Sequence, residues 1–185
     1  GIEPSKIKVI HGDTDYTPYG WGTFASRSLV ITGGACKLAA KKIHDKLGVI
    51  AATMLEVPPS DITLRDGTAF ARDSNRSIPI PELARAIYHQ YPKFKDTLEP
   101  GISESASYDP YGTFSNACHV AIVEVDIETG AVDLQRFLVV EDAGRMINPM
   151  IVEGQIRGGV AQGIANALLE EIIYDSDGNI LTATL

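Results

Sequence analysis

Residues 12–28 read GDTDYTPYGWGTFASRS, a polar stretch with three glycines that separates two regions of regular apolar pattern. Before it, residues 6–11 alternate polar and apolar side chains, which predicts a short strand. After it, a helical pattern begins near Val30. Glycine permits close backbone approach, and residues 26–28 (Ser-Arg-Ser) supply hydroxyl and guanidinium groups where the helix begins. The stretch is a candidate phosphate-binding loop, with an ordinary loop and serine N-cap as the alternative.

Composition and charge narrow the class of protein. The 185 residues are 44% hydrophobic and 22% charged, which is typical of a globular domain or two small lobes. A formal net charge of -8 argues against a surface that binds nucleic acid or anionic membranes. No apolar run predicts a membrane span and no leader sequence is recognised, so nothing points to export. Cys36 and Cys118 lack metal-ligand spacing, which predicts buried thiols in a reducing cytoplasm.

A first α+β lobe is predicted over residues 1–100. Residues 92–113 lose apolar periodicity and are interpreted as a long connection to a second lobe. The glycines at 33 and 34 predict close packing or a ligand beside the long helix. The pattern predicts, in chain order, a helix from about Val30 to Leu55, a hairpin of residues 62–65 and 69–72 around Asp66-Gly67, and a helix over residues 81–88.

A second α+β lobe is predicted over residues 101–185. It contains a hairpin of residues 114–126 and 131–140, a helix from about Ile151 to Glu170, and a terminal hairpin over residues 172–182. Each glycine inside a helix costs about 1 kcal/mol relative to alanine, so the glycine-rich helix predicts a backbone or ligand packed close to it. The expected fold class is α+β, with two lobes that are each a mostly antiparallel sheet covered by helices, and with a cofactor between them.

Two motifs together resemble the molybdopterin-binding large subunit of the xanthine dehydrogenase and aldehyde oxidase family, especially its carbon monoxide dehydrogenase-like members. The first motif is residues 12–28, and the similarity covers nearly the whole chain. The second motif comprises Asp142-Ala143-Gly144-Arg145, Ile147-Asn148-Pro149, Gly154-Gln155, Gly158-Gly159 and Gln162-Gly163. The resemblance implies the molybdopterin-binding fold and a molybdenum hydroxylase that oxidises carbon monoxide, an aldehyde or an N-heteroaromatic compound with oxygen taken from water.

The resemblance also implies cofactors and partners. The cofactor of this subunit would be a molybdopterin cytosine dinucleotide that carries molybdenum, with no protein side chain as a metal ligand. Iron–sulfur clusters and FAD would reside on two partner subunits and receive the electrons. The remainder of the molybdopterin subunit and a small-molecule substrate complete the expected partners, and neither nucleic acid nor a membrane span is among them.

Residue roles follow from the resemblance position by position. Ala25 would lie beside the molybdenum, and residues 26–28 would bind the dinucleotide near its diphosphate through backbone N–H and hydroxyl groups. Gln162 would hydrogen-bond the cofactor near the metal, since a neutral amide both donates and accepts. The residues implied to bind the cofactor are Thr23, Ala25, Ser26, Arg27, Ser28, Asn148, Gln155 and Gln162.

The chain also departs from the family pattern. The upstream Gly-Gln loop, the upstream substrate loop and the downstream segment with the catalytic glutamate have no counterpart in residues 1–185. Glu170 and Glu171 are interpreted as solvated residues, so no residue of this chain is expected to be the catalytic base. We therefore expect a fragment or split subunit that is inactive alone.

Two alternatives remain at the level of sequence. Residues 13–17 (Asp-Thr-Asp-Tyr-Thr) match the DxDxT pattern of haloacid-dehalogenase-type phosphatases, although that chemistry requires a parallel strand directly before the first aspartate. The second alternative is a non-catalytic scaffold that retains the fold. The four histidines lack ligand spacing and are expected to be structural, and residues 175–179 are interpreted as a turn and not as a calcium loop.

Overall fold

The computed structural model describes residues 1–72 and 74–184, and the chain divides into two compact units, Gly1–Tyr111 and Gly112–Leu185. Both units combine helix with antiparallel strands, which confirms the predicted α+β class. The assignment of residues 1–100 and 101–185 as separate domains stays a prediction.

Unit 1 contains a long helix, a three-stranded antiparallel sheet and a short helix. Strand β1 pairs with β2, and β2 pairs with β3, so the strands follow one another as a meander. The predicted hairpin is confirmed, because Asp66 (φ 47°) and Gly67 (φ 73°) both adopt the positive φ that a two-residue turn requires. The elements are α1 (Ser28–Leu55), β1 (Ile62–Arg65), β2 (Thr68–Ala71), β3 (Ser77–Pro79) and α2 (Ile80–His89), with 3₁₀ turns at Pro4–Lys6, Pro59–Asp61 and Tyr91–Lys93.

The core of unit 1 lies against the second half of α1. The buried residues of this helix all come from Leu47 onward, and they pack with α2 and the sheet. Phe94, Ile50, Leu83 and Ile87 are the largest side chains that are fully buried. The first half of α1 is therefore left outside the core and carries the preceding loop, residues 12–27, on its free end.

Residues 102–108, which we call the strap, lie along α1 from Lys46 back to Gly34. Ile102 packs against the core, and Glu104 forms an ion pair with Lys46 at 3.7 Å. Lys42 Nζ donates to the carbonyl of Ser105 at 2.8 Å. The ring of Tyr108 occupies the space that a Cβ on Gly34 would need, so the predicted close packing at this glycine is confirmed. The strap, which is part of the connection predicted over residues 92–113, is thus irregular in conformation but packs against α1.

Unit 2 contains a two-stranded antiparallel hairpin and one long helix. Strand β4 is Asn116–Val125, β5 is Val132–Asp142 and α3 is Pro149–Leu168. The strand register shifts between Ile122 and Val123, because Gln135 forms a bulge in β5. None of the described residues of this unit is buried, so the core of the chain belongs to unit 1.

Two local predictions were wrong, and a third is met only in a shortened form. Residues 7–11 form no strand in the described structure, since no neighbouring strand pairs with them and Val9 is 75% exposed. Cys36 and Cys118 are exposed, because one lies on the outer side of α1 and the other on a hairpin that the described residues leave uncovered. The terminal hairpin is reduced to a single antiparallel bridge between Tyr174 and Ile180.

Candidate functional site

The loop that leads into α1 begins with a turn organised by Asp13. Its carboxylate Oδ1 accepts the amide of Asp15 at 2.9 Å, and its carbonyl accepts the amide and the hydroxyl of Thr17. This is the local bonding typical of an aspartate in a turn. A nucleophilic role for Asp13 gains no support, since both sheets are antiparallel and no strand precedes it in the described structure.

The end of the loop is a tight turn over residues 24–27. The amide of Arg27 donates to the carbonyl of Phe24 at 3.2 Å, and the two central residues, Ala25 (φ 50°) and Ser26 (φ 54°), are left-handed. Positive φ at both central positions defines a type I′ turn, which normally uses Asn, Asp or Gly. A residue with a Cβ costs roughly 1–2 kcal/mol in this region, so the turn stores strain at the predicted site.

Side chains on both sides of the turn tie it together. Arg27 Nε and Nη2 donate to the carbonyl of Gly22 at 3.1 and 2.9 Å, and the guanidinium carbon lies 4.0 Å from the ring centre of Phe24. The hydroxyls of Thr23 and Ser28 hydrogen-bond each other across the same turn. These contacts hold five predicted site residues, Thr23, Ala25, Ser26, Arg27 and Ser28, in one short loop.

The turn delivers the chain into the amino terminus of α1. The N-cap residue Arg27 makes no side-chain cap hydrogen bond, and the first turn of the helix carries no acidic residue. The residue at the N-cap position is thus Arg27 and not a serine. The first amides of a helix have no partner inside it and, with the helix dipole, favour an anion. This end of α1 has the chemistry of a phosphate-binding position.

The other predicted site residues lie on α3 in unit 2. Asn148 is the N-cap, and its carbonyl accepts the amide of Val152 at 3.2 Å, without a side-chain cap. At 3.6 residues per turn, Gln155, Gly158, Gly159 and Gln162 occupy one face of about 100°. A Cβ on either glycine of this face would meet nothing else within 4 Å. The packing expected beside these glycines is thus not provided by the described residues of this chain.

Titratable groups give no competing centre in the described structure. No group of three or more His, Cys, Asp or Glu residues there could hold a metal ion. His119 pairs with Glu141 at 3.3 Å and packs edge-on against Phe137, a contact across the hairpin. The pKa of Asp175 is lowered because its carboxylate accepts hydrogen bonds from Asn179, as expected for the turn predicted at residues 175–179.

No helix in the described ranges has the length and apolar character needed to cross a membrane.

Sequence reasoning included Gly22 among the loop glycines, but it did not predict that its carbonyl accepts from Arg27 or that Phe24 lies beside the guanidinium. The available signal was residue type, because an arginine near an aromatic ring favours a cation–π contact. The positive φ of Gly22, 73°, turns its carbonyl toward Arg27. Ala25 and Ser26 gave no such signal, because neither residue type favours left-handed backbone.

Known proteins resemble this chain over its whole length. The carbon monoxide dehydrogenase large chain of Hydrogenophaga pseudoflava is 40% identical, and the nicotine 6-hydroxylase large subunit of Paenarthrobacter nicotinovorans is 42% identical. Each alignment covers 100% of this chain and 23% of the relative, so the chain spans about a quarter of the length of these curated relatives.

Solved structures and a family model agree with these relatives. A crystal structure of a Cu,Mo-CO dehydrogenase superposes with a TM-score of 0.75 at 39% identity, over 92% of this chain and 21% of that one. Quinoline 2-oxidoreductase from Pseudomonas putida 86 superposes equally well, over 92% of this chain and 22% of its own. The family model described as the molybdopterin cofactor-binding domain matches residues 1–185. The chain belongs to the molybdopterin cofactor-binding domain family of the molybdenum hydroxylases.

Proposed function

We propose that this chain is the cofactor-holding part of a molybdenum hydroxylase and that it binds a molybdopterin cytosine dinucleotide. The observation that carries the proposal is the strained turn at Ala25 and Ser26, directly before a helix end without a side-chain cap. Strain of this kind persists where the surrounding structure enforces it, and such places cluster at ligand sites. An anionic dinucleotide fits this end of α1, because the first amides there favour negative charge.

The loop residues have distinct tasks in this proposal. The first amides of α1 and the hydroxyls of Ser26 and Ser28 bind the diphosphate, while Thr23 orients the Ser28 hydroxyl through their hydrogen bond. Ala25 brings a small side chain next to the metal-bearing end of the cofactor. When bound, the cofactor supplies two-electron redox chemistry that transfers oxygen from water to the substrate.

We propose that α3 also carries cofactor-binding residues. Gln162 and Gln155 offer amides that donate and accept hydrogen bonds, and the glycines between them leave space for a flat ring system. Asn148 offers a further amide at the start of the helix. The support is the open face itself, since four glycines weaken this helix without any packing from the described residues in return.

The wider activity is proposed from the relatives. The substrate class is carbon monoxide, an aldehyde or an N-heteroaromatic compound, and electrons leave through iron–sulfur and FAD partner subunits. The two relatives named above are a large chain and a large subunit, which supports a multi-subunit assembly. Residues 1–185 alone are not expected to turn over substrate, because they span only 23% of those relatives.

Analysis of metal and nucleotide tests the assignment. The native protein should contain molybdenum by elemental analysis and release about one cytidine nucleotide per metal on acid denaturation. A preparation with neither, from cells that load molybdenum into other enzymes, would contradict the proposal and favour a non-catalytic scaffold. A guanine nucleotide would correct the form of the cofactor and leave the site in place.

A further inference from the structure

We propose that the guanidinium of Arg27 is a positioning group that holds the cofactor loop in its strained turn, and that it does not act as a charge on the diphosphate. The inference rests on the proposed function for its role in the protein. Arg27 is the one cation of residues 12–28, so a direct phosphate contact is the obvious reading of the sequence. The structure points elsewhere.

The geometry commits the guanidinium to the loop. Two of its five N–H donors, on Nε and Nη2, converge on the carbonyl of Gly22. Its guanidinium carbon lies over the ring of Phe24, 4.0 Å from the ring centre, and 6.0 Å from the ring centre of Trp21. Gly22 lies before the turn at residues 24–27, and Arg27 is its last residue. The side-chain bonds from Arg27 to Gly22 therefore join the two ends of the turn.

The turn requires such a brace. Ala25 and Ser26 both hold positive φ without the freedom of glycine, and the backbone bond from Arg27 to Phe24 is a single bond at 3.2 Å. The Thr23–Ser28 hydroxyl pair is a further side-chain tie across the turn. Without the fork on Gly22, the loop would relax to negative φ, and the first amides of α1 would no longer meet the ligand in a fixed geometry.

Lysine separates the two roles of Arg27. A lysine keeps the positive charge for a phosphate but has no planar fork and no flat face to stack on Phe24. If Arg27 acts by charge, Arg27→Lys retains the cofactor. If Arg27 braces the turn, Arg27→Lys loses cofactor. The second change Ala25→Gly then restores the cofactor content, because glycine adopts positive φ without strain.

The experiment compares three variants of the native protein, Arg27→Lys, Arg27→Lys with Ala25→Gly, and the control Arg65→Lys. Arg65 is matched to Arg27, since its guanidinium stacks over Phe70 at 4.5 Å, but it lies in the β1–β2 hairpin. Hydrogen exchange of residues 22–31 is measured in the cofactor-free protein, and molybdenum and released nucleotide are measured in the loaded protein.

We expect Arg27→Lys to speed exchange of residues 22–31 about tenfold and to lower cofactor content by a similar factor. Ala25→Gly should restore most of that content, and Arg65→Lys should change neither measurement. Unchanged exchange in Arg27→Lys, or loss of cofactor that Ala25→Gly does not rescue, would overturn the proposal. A wild-type protein without molybdenum would instead sink the proposed function, and the exchange measurement would still decide whether Arg27 braces the turn.

Discussion

At the scale of single residues, the candidate site is defined by backbone conformations that its residue types disfavour. The consecutive residues Ala25 and Ser26 both adopt left-handed backbone conformation. Both carry a Cβ, which makes that conformation costly. Neighbouring side chains compensate, through Arg27 on Gly22 and through the Thr23–Ser28 pair. A fixed loop of this kind binds with less loss of conformational entropy than a mobile one.

Gly34 offers a prediction about packing under the strap. Gly34→Ala places a methyl group where the Tyr108 ring lies, so the ring must move and the strap must loosen. Overpacking costs about 1–3 kcal/mol and the gain in helix propensity offsets about 1 kcal/mol, so we expect a net loss near 1 kcal/mol. Urea denaturation of the native protein measures this change.

The neighbouring glycine is the matched control. A Cβ on Gly33 would meet only the Leu29 side chain, at the ordinary distance of 3.4 Å. Gly33→Ala should therefore stabilise by up to about 1 kcal/mol. Equal effects of the two substitutions would show that Tyr108 does not restrict Gly34.

At the scale of elements, the sequence of α3 lowers the stability of the helix that it forms. Its four glycines lower helix propensity, and a Cβ on any of them would stand in open space. This combination is explained when something outside the described residues approaches the helix closely. The proposed cofactor is the candidate for this close approach. A larger residue in place of a glycine of α3 should then raise the free energy of unfolding and lower the cofactor content.

Gly158→Leu should raise the free energy of unfolding by roughly 0.5–1 kcal/mol while it lowers the molybdenum content of the protein severalfold. Gly48→Leu is the control, since Gly48 also lies inside a helix with open space at its Cβ. It should give a similar gain in stability with unchanged loading. Normal loading of Gly158→Leu would remove this face of α3 from the site.

The β4–β5 turn predicts a dependence on pH. The pKa of Asp126 is lowered because its carboxylate accepts the amide of Glu128 and bonds from Thr129. A carboxyl with a depressed folded pKa stabilises the turn above its unfolded pKa, and that stabilisation is lost as pH falls through the folded pKa. The protection factors of the hairpin amides, which correct for the slower intrinsic exchange in acid, should fall as pH drops below about 4.

The matched variant for this prediction is Asp126→Asn, which keeps an acceptor oxygen but does not titrate. Its hairpin should show the same amide protection on both sides of pH 4. NMR titration of the wild-type carboxyl checks the direction of the pKa shift directly. An Asp126 pKa above its ordinary value would contradict the hydrogen-bonded turn.

The elements that the sequence predicted correctly are those whose formation depends on residues close together in the chain. The Asp66-Gly67 turn, the long helix and the paired strands on either side of Gly130 follow from turn chemistry and periodicity. Residues 6–11 show the limit, because alternation predicts a strand only if a partner strand lies beside it. The strained turn at Ala25 and Ser26 depends on contacts from Arg27 and could not be inferred from propensity. The two site motifs were found by family resemblance, not by spacing alone.

At the scale of the whole molecule, the two units differ in how much apolar surface this chain buries. Every buried hydrophobic residue among those described lies in unit 1. In unit 2, strand β4 is exposed on both faces, and Val120 and Val123 are 47% and 48% exposed. A two-stranded hairpin without a packed face is marginal in water. The described residues of unit 2 therefore bury no core of their own.

This difference predicts how the two units unfold when each is expressed separately. Residues 1–111 expressed separately should unfold in urea with a sigmoidal transition, because their core is self-contained. Residues 112–185 expressed separately should show no cooperative transition, and their far-UV circular dichroism should change gradually with urea. A sharp transition for the second polypeptide would show that it forms a core of its own.

The strap on α1 has a consequence for the order of assembly. The bond from Lys42 to Ser105 joins residues 63 positions apart, whereas α1 itself is held by local bonds. A helix forms within about a microsecond, but a contact across so long a loop must wait until the intervening sheet and α2 have closed the distance. We expect the strap to dock last during folding and to detach first during unfolding. The beginning of α1, with the loop it carries, is then the earliest part of unit 1 to lose its support.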